Sequence, residues 1–145
     1  MRGQHLRRFW IGLALSGLVG CGPISVKQQI DRSDRVAFEA LHLFQTLESG
    51  AYHAHAPWPT VVQHQEIGAK LSQAYTLVVD VAHAGLALQT GAPIPAQLAA
   101  EVRQLTTLVA DIVALAQTAP PAVKAQAVTA QQKMAALTQA VTGGT

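Results

Sequence analysis

The feature that most constrains this fold is an apolar repeat in the middle of the chain. Apolar or small residues recur there at alternating steps of four and three, which places them on one side of an α-helix. They are Ile67, Leu71, Ala74, Val78, Val81, Gly85 and Leu88. The repeat predicts a helix over about 60–89, which the sequence Thr90-Gly91-Ala92-Pro93 ends. A long apolar stripe of this kind is buried by packing against other helices.

Three further helices are predicted from apolar spacing and from capping residues. They cover about 33–49, 95–117 and 121–142. Asp31 or Ser33 is a candidate cap for the first of these helices, and Gly50 is its candidate stop. Because the connections are short, neighbouring helices are expected to run antiparallel. The prediction is an all-α, four-helix up-down-up-down bundle over residues 31–142, followed by a flexible tail at 143–145.

The residues ahead of the bundle show a different pattern. Arg2, Arg7 and Arg8 precede Phe9 to Gly20, a run of twelve residues without a charge. A basic start and a short apolar run are typical of a secretory signal peptide. The run is too short to span a bilayer, which takes about 20 apolar residues. Residues 1–20 are therefore predicted to be a cleaved signal peptide.

The end of this run resembles the lipobox of bacterial lipoprotein signal peptides. The matching residues are Leu18-Val19-Gly20-Cys21, and the resemblance covers residues 1–21 only. It implies cleavage between Gly20 and Cys21, a diacylglycerol on the Cys21 thiol, and an acyl chain such as palmitate on the new amino terminus. Gly22, where an inner-membrane retention signal has aspartate, favours the periplasmic face of the outer membrane over the inner membrane. Residues 21–30 are then the lipidated cysteine and its tether.

Composition excludes several classes of function. Three of the ten basic residues lie in the signal peptide, which leaves seven against eight acidic residues and a formal charge of −1. No basic stripe is available to neutralise nucleic-acid phosphates, so nucleic acid is not a predicted partner. Cys21 is the single cysteine, which excludes disulfides and thiolate metal sites within the chain. No cofactor is predicted beyond the lipid on Cys21.

Histidines between the first two predicted helices offer an alternative interpretation, a metal site. His53 and His55 lie two residues apart, and His64 or Glu66 is available as a third ligand. The competing interpretation is that these are exposed loop histidines with local hydrogen bonds.

Two regions are candidates for protein recognition. The loop with Tyr52 and Trp58 is one, since an aromatic residue between two prolines on a loop suits recognition. The alternative is that Trp58 fills the open end of the bundle. The third helix is the other region, because Leu108, Val113 and Leu115 widen its apolar stripe. That stripe either binds a partner helix or a second copy of the chain, or is an ordinary core face.

No catalytic constellation is recognisable. Glu39-x-x-His42 occurs once, without the second copy that a di-metal bundle uses, and no G-x-S-x-G motif is present. The leading hypothesis is a non-enzymatic, membrane-anchored lipoprotein that acts through protein contacts at the cell envelope. This hypothesis includes lipoproteins that are encoded by a phage. The alternative is a periplasmic bundle that binds a metal or small ligand through the loop histidines.

Overall fold

A computed structural model describes residues 24–143. They form α1 (Val26–His53), α2 (Val61–Ala87), α3 (Ala96–Leu115) and α4 (Pro121–Thr142), with a 3-10 turn (Ala116–Thr118) after α3. This part of the chain contains no strand, and none of its helices has the length and apolar character needed to cross a bilayer. The predicted all-α four-helix bundle is confirmed. The signal peptide, Gly20 and Cys21 lie outside the described residues.

The four helices form a closed antiparallel ring. Each helix packs against the two helices beside it, and α4 returns to pack against α1. Polar contacts fix the register between the helices: Lys70 Nζ lies 2.8 Å from Asp111 Oδ2 across α2 and α3, and Gln126 Nε2 donates to the Ala40 carbonyl across α4 and α1 at 3.1 Å. One end of the bundle lies beside the start of α1, and the other end lies beside the α1–α2 loop.

The first helix is longer than the sequence pattern predicts at both of its ends. Ser25 caps it: its hydroxyl accepts the Gln28 backbone N–H at 3.2 Å, and the Gln28 side chain accepts the Ser25 N–H at 3.1 Å. This reciprocal arrangement is a capping box, and it starts the helix at Val26 rather than near Ser33. Residues 26–30, which the sequence assigns to the tether, are thus helical, and Ile30 is fully buried.

At its other end, α1 continues through Gly50 to His53. A glycine within a helix costs about 1 kcal/mol relative to alanine, and apolar packing beyond it outweighs that cost. Ala51 packs against the core after Gly50. The predicted ends of the other three helices lie within two residues of the observed ones.

Small residues on the seams bring the helices close together. Gly85 is one such position, since a Cβ built on it would stand 3.0 Å from Ile30 Cγ2. This close approach joins the start of α1 to the end of α2, and Lys27 Nζ reinforces it by donating to the Leu86 carbonyl at 2.6 Å.

Candidate functional site

Trp58 closes the end of the bundle beside the α1–α2 loop. Its side chain is buried, with 4% of the residue exposed, and its indole Nε1 donates to the Leu115 carbonyl at 3.2 Å. The prolines that flank it in sequence turn the chain between the two helices, so the ring is held against α3. The structure thus places Trp58 where the end-filling interpretation has it, and leaves no exposed ring at this position for a partner.

A buried carboxylate and a histidine lie next to this plug. Glu48, on α1, is 2% exposed, and its Oε1 lies 2.7 Å from Nδ1 of His64 on α2. An ionised Glu48 can only accept this hydrogen bond, from Nδ1 of His64, and the other ring nitrogen, Nε2, takes no part in the contact. The Ser49 hydroxyl donates to the second oxygen of Glu48 at 3.4 Å. The Glu48–His64 pair therefore fixes the imidazole plane.

Tyr52 stacks on that fixed imidazole. The ring centroids of Tyr52 and His64 are 3.8 Å apart and the planes differ by 7°. His53 meets the Tyr52 ring edge-on, with the two ring centroids 5.7 Å apart. The predicted site residues Tyr52, His53 and His64 thus lie together, whereas Trp58 lies inside.

In the described part of the chain, His53 and His64 both contact Tyr52, and the histidines form no metal centre. His55 lies in the left-handed region at φ 55°, where it turns the chain out of α1. Within residues 24–143, no group of three or more histidine, aspartate, glutamate or cysteine side chains is arranged to hold a metal ion. His64 already spends one ring nitrogen on Glu48, and Glu66 is exposed on α2.

The surface around this cluster has no formal charge and includes two exposed valines. We define the distal end as residues 49–65 and 112–123, which contain no Asp, Glu, Lys or Arg. Val61 is 58% exposed and Val62 is 71% exposed. Valines this exposed at the start of a helix contribute nothing to the bundle core, so this end offers apolar area to another molecule.

The third helix offers no such surplus. Leu108 is 8% exposed, and Val113 and Leu115 pack against the core. None of the large apolar residues that the described chain exposes belongs to α3. The wide stripe is therefore a core-facing stripe, and the hypothesis that its excess binds a partner or a second copy has no support in this packing.

A second exposed patch lies on the side of the bundle, where α1 meets α2. Phe38 is 40% exposed and packs its ring 5.4 Å from Tyr75, while Val79 is 49% exposed. The Tyr75 hydroxyl donates to Gln45 Oε1 at 2.8 Å, and burial raises the pKa of Tyr75. Sequence reasoning missed this side patch, because its residues fall outside the repeats that define the seams.

Asp34 is the other buried acid, and it has no compensating contact. It is 5% exposed, and its Oδ1 is enclosed without a hydrogen-bond partner. Burial, and secondarily the negative charge of Asp31, raises the pKa of Asp34 to about 7. A seam at steps of four and three runs through Ile30, Asp34, Ala37, Leu41, Phe44 and Glu48. The same spacing that identified the other helices could have placed both acids in the core.

Comparisons with known protein families, with curated proteins and with solved structures found no match for this chain.

Proposed function

We propose that this protein is a non-enzymatic lipoprotein, anchored to a bacterial membrane through Cys21, most simply at the periplasmic face of the outer membrane, and that it acts through protein contacts. The observation that carries the proposal is the lipobox Leu18–Cys21, which stands directly ahead of a compact helical bundle. A lipid with two or more chains holds a protein stably at a membrane without a transmembrane helix.

The distal end is the surface that we assign to the protein partner. It lies at the opposite end of α1 from the anchor, about 40 Å away for a helix of this length. Val61 and Val62 supply exposed apolar area there, and Tyr52 and His64 supply flat rings held in place by Glu48. Aromatic residues fixed before binding lose little conformational entropy on association, which suits a contact surface.

Site-specific photo-crosslinking tests this assignment. A photoreactive amino acid in place of Val62 is expected to give a discrete adduct in the native envelope, because this residue is the most exposed large apolar residue of the distal end. Val128, an exposed valine on α4 outside that end, is the matched control and is expected to give none. The products are separated by mass on a denaturing gel.

The same experiment also tests the other exposed apolar surface, the side patch. The same amino acid in place of Val79 probes the side patch. Adducts at Val79 and not at Val62 would transfer the contact to the side patch and overturn the distal assignment. No adduct at any of the three positions would contradict action through stable protein contacts.

A further inference from the structure

We propose that the end of the bundle opposite the distal end rests directly on the membrane surface, with lipid as its binding partner. We define this proximal end as residues 24–30, 84–97 and 136–143. The inference rests on the proposed lipid anchor at Cys21, and it adds an orientation for the bundle and a second, non-covalent contact with the bilayer.

Only a short tether separates Cys21 from the bundle. Because the Ser25 cap begins α1 at Val26, only Gly22 and Pro23 separate Cys21 from Ile24, the first described residue. Three residues of fully extended chain reach about 10 Å. The headgroup layer on each side of a bilayer is about 5–8 Å thick. The lipidated cysteine therefore cannot hold the bundle away from the surface.

Two large apolar side chains are exposed at the proximal end. Ile24 is 50% exposed and Leu86 is 58% exposed. They belong to the same end, because Lys27 links the start of α1 to the Leu86 carbonyl. Neither side chain contributes to the buried core. Apolar residues at the tip of a bundle become buried when that tip meets the boundary between headgroups and acyl chains.

Charged side chains are few at the proximal end. Residues 84–100 and 134–143 contain no acidic or basic side chain, and the first turn of α1 contributes only Lys27. Arg32 adds a second cation, on the groove beside Ile24 and Gln139. The nearest acid on α1, Asp31, contacts Arg35 at 3.4 Å. Asp80 and Glu101 border the same end on the side of α2 and α3, beside Gln97. The cations Lys27 and Arg32 lie on the side of α1, which is the side that an anionic lipid surface attracts.

A second copy of the chain is the competing occupant of this apolar tip. The tether favours lipid, because the bilayer lies within about 10 Å of Ile24 however the bundle turns. Another copy meets the same tip only if the bundle turns away from the surface to which it is tied.

Fluorescence quenching by lipid-attached nitroxides in the mature, lipidated protein tests the proposal. The protein is reconstituted into vesicles of phosphatidylethanolamine and phosphatidylglycerol that carry the quencher in the headgroup region. Since the lipid occupies the Cys21 thiol, a single introduced cysteine takes the fluorophore, either Gln89→Cys at the proximal end or Ala54→Cys at the distal end. We expect quenching at position 89 and none at position 54.

Paired charge substitutions separate the side-chain contact from the tether. Ile24→Asp with Leu86→Asp is expected to lower quenching at position 89 below the wild-type value, to the residual level that the tether alone imposes. Val61→Asp with Val62→Asp, the matched pair at the distal end, is expected to leave it unchanged. All four residues are exposed, so each variant retains the fold, which far-UV circular dichroism verifies.

Each contrary outcome has a distinct meaning. No quenching at position 89 in a protein that floats with the vesicles overturns the surface contact and leaves the anchor standing. Quenching that the proximal pair does not change overturns the role of Ile24 and Leu86, and equal quenching at positions 89 and 54 overturns the end-on orientation. Failure of the wild-type protein to float with the vesicles overturns the proposed lipid anchor itself.

Discussion

Replacing Asp34 with asparagine is expected to raise the free energy of unfolding above pH 7 by about 2 kcal/mol. Burial without a partner for Oδ1 holds the pKa at about 7, against an ordinary value of 3.8. That difference corresponds to about 4 kcal/mol of destabilisation when the carboxylate is ionised. The asparagine amide recovers only part of it, because its own buried polar atoms need partners at a cost of about 1–3 kcal/mol.

The pH dependence of this effect has a definite sign. Between pH 4 and pH 7 the folded protein keeps the Asp34 proton that the unfolded chain releases, so the contribution of Asp34 to stability falls as the pH rises. The difference in unfolding free energy between Asp34→Asn and wild type should grow by about 4 kcal/mol from pH 4 to pH 7 and stay constant above that. The asparagine variant is accordingly the less stable protein at pH 4 and the more stable one above pH 7. Urea unfolding of both proteins at a series of pH values measures this difference in unfolding free energy.

Asp80→Asn is the matched control for this experiment, since Asp80 is exposed on α2. It should change the unfolding free energy by less than about 0.5 kcal/mol at every pH. A difference between Asp34→Asn and wild type that shrinks towards higher pH would show that Asp34 is ionised and paired in the folded state, contrary to the enclosed position seen here.

Replacing Trp58 with alanine is expected to lower the free energy of unfolding by about 3–5 kcal/mol. The substitution leaves a cavity at the closed end of the bundle, and truncation of a buried tryptophan typically costs this much. It also leaves the Leu115 carbonyl without the indole donor. Denaturant unfolding followed by far-UV circular dichroism is the suitable measurement, because the only other tryptophan, Trp10, lies in the predicted signal peptide.

Two companion variants define the cause of the loss. Trp58→Phe keeps most of the ring volume and removes the hydrogen bond to Leu115, so it should cost about 1–2 kcal/mol. Tyr52→Ala, at a partly exposed aromatic of the same region, should cost less than Trp58→Ala. A loss below about 1 kcal/mol for Trp58→Ala would mean that the ring lies at the surface, as a recognition residue does.

The apolar repeat was sufficient to predict three of the four helices. The repeat from Ile67 to Leu88 predicts α2 without any capping residue, because steps of four and three place all of its residues on one side of a helix. The start of α1 depends instead on a reciprocal hydrogen-bond pair, Ser25 with Gln28. Such a pair is easily overlooked in a polar stretch, and the sequence interpretation therefore placed this stretch in the tether.

The candidate site was predictable in its location but not in its details. The cluster of Tyr52, His53 and His64 follows from the loop between the first two helices. The burial of Trp58 against Leu115 depends on how α3 ends, which apolar spacing does not determine. Asp34 and Glu48 were predictable from the α1 seam, had that seam been extended in both directions from Leu41. The exposure of Phe38 and Val79 depends on the crossing of α1 and α2, and spacing within one helix cannot supply it.

The two ends of the bundle give the molecule a direction. The proximal end has exposed apolar side chains near Lys27 and Arg32, within reach of the proposed lipid anchor. The distal end presents exposed valines beside the stacked rings of Tyr52 and His64. Both assignments rest on the proposed lipidation of Cys21, which would set where the bundle is held.

The intact mass of the protein extracted from bacterial membranes tests that event most directly. We expect a chain that begins at Cys21 and carries the additional mass of a diacylglycerol and an acyl chain. A mass equal to that of an unmodified polypeptide, with a Cys21 thiol that still reacts with maleimide, would contradict it.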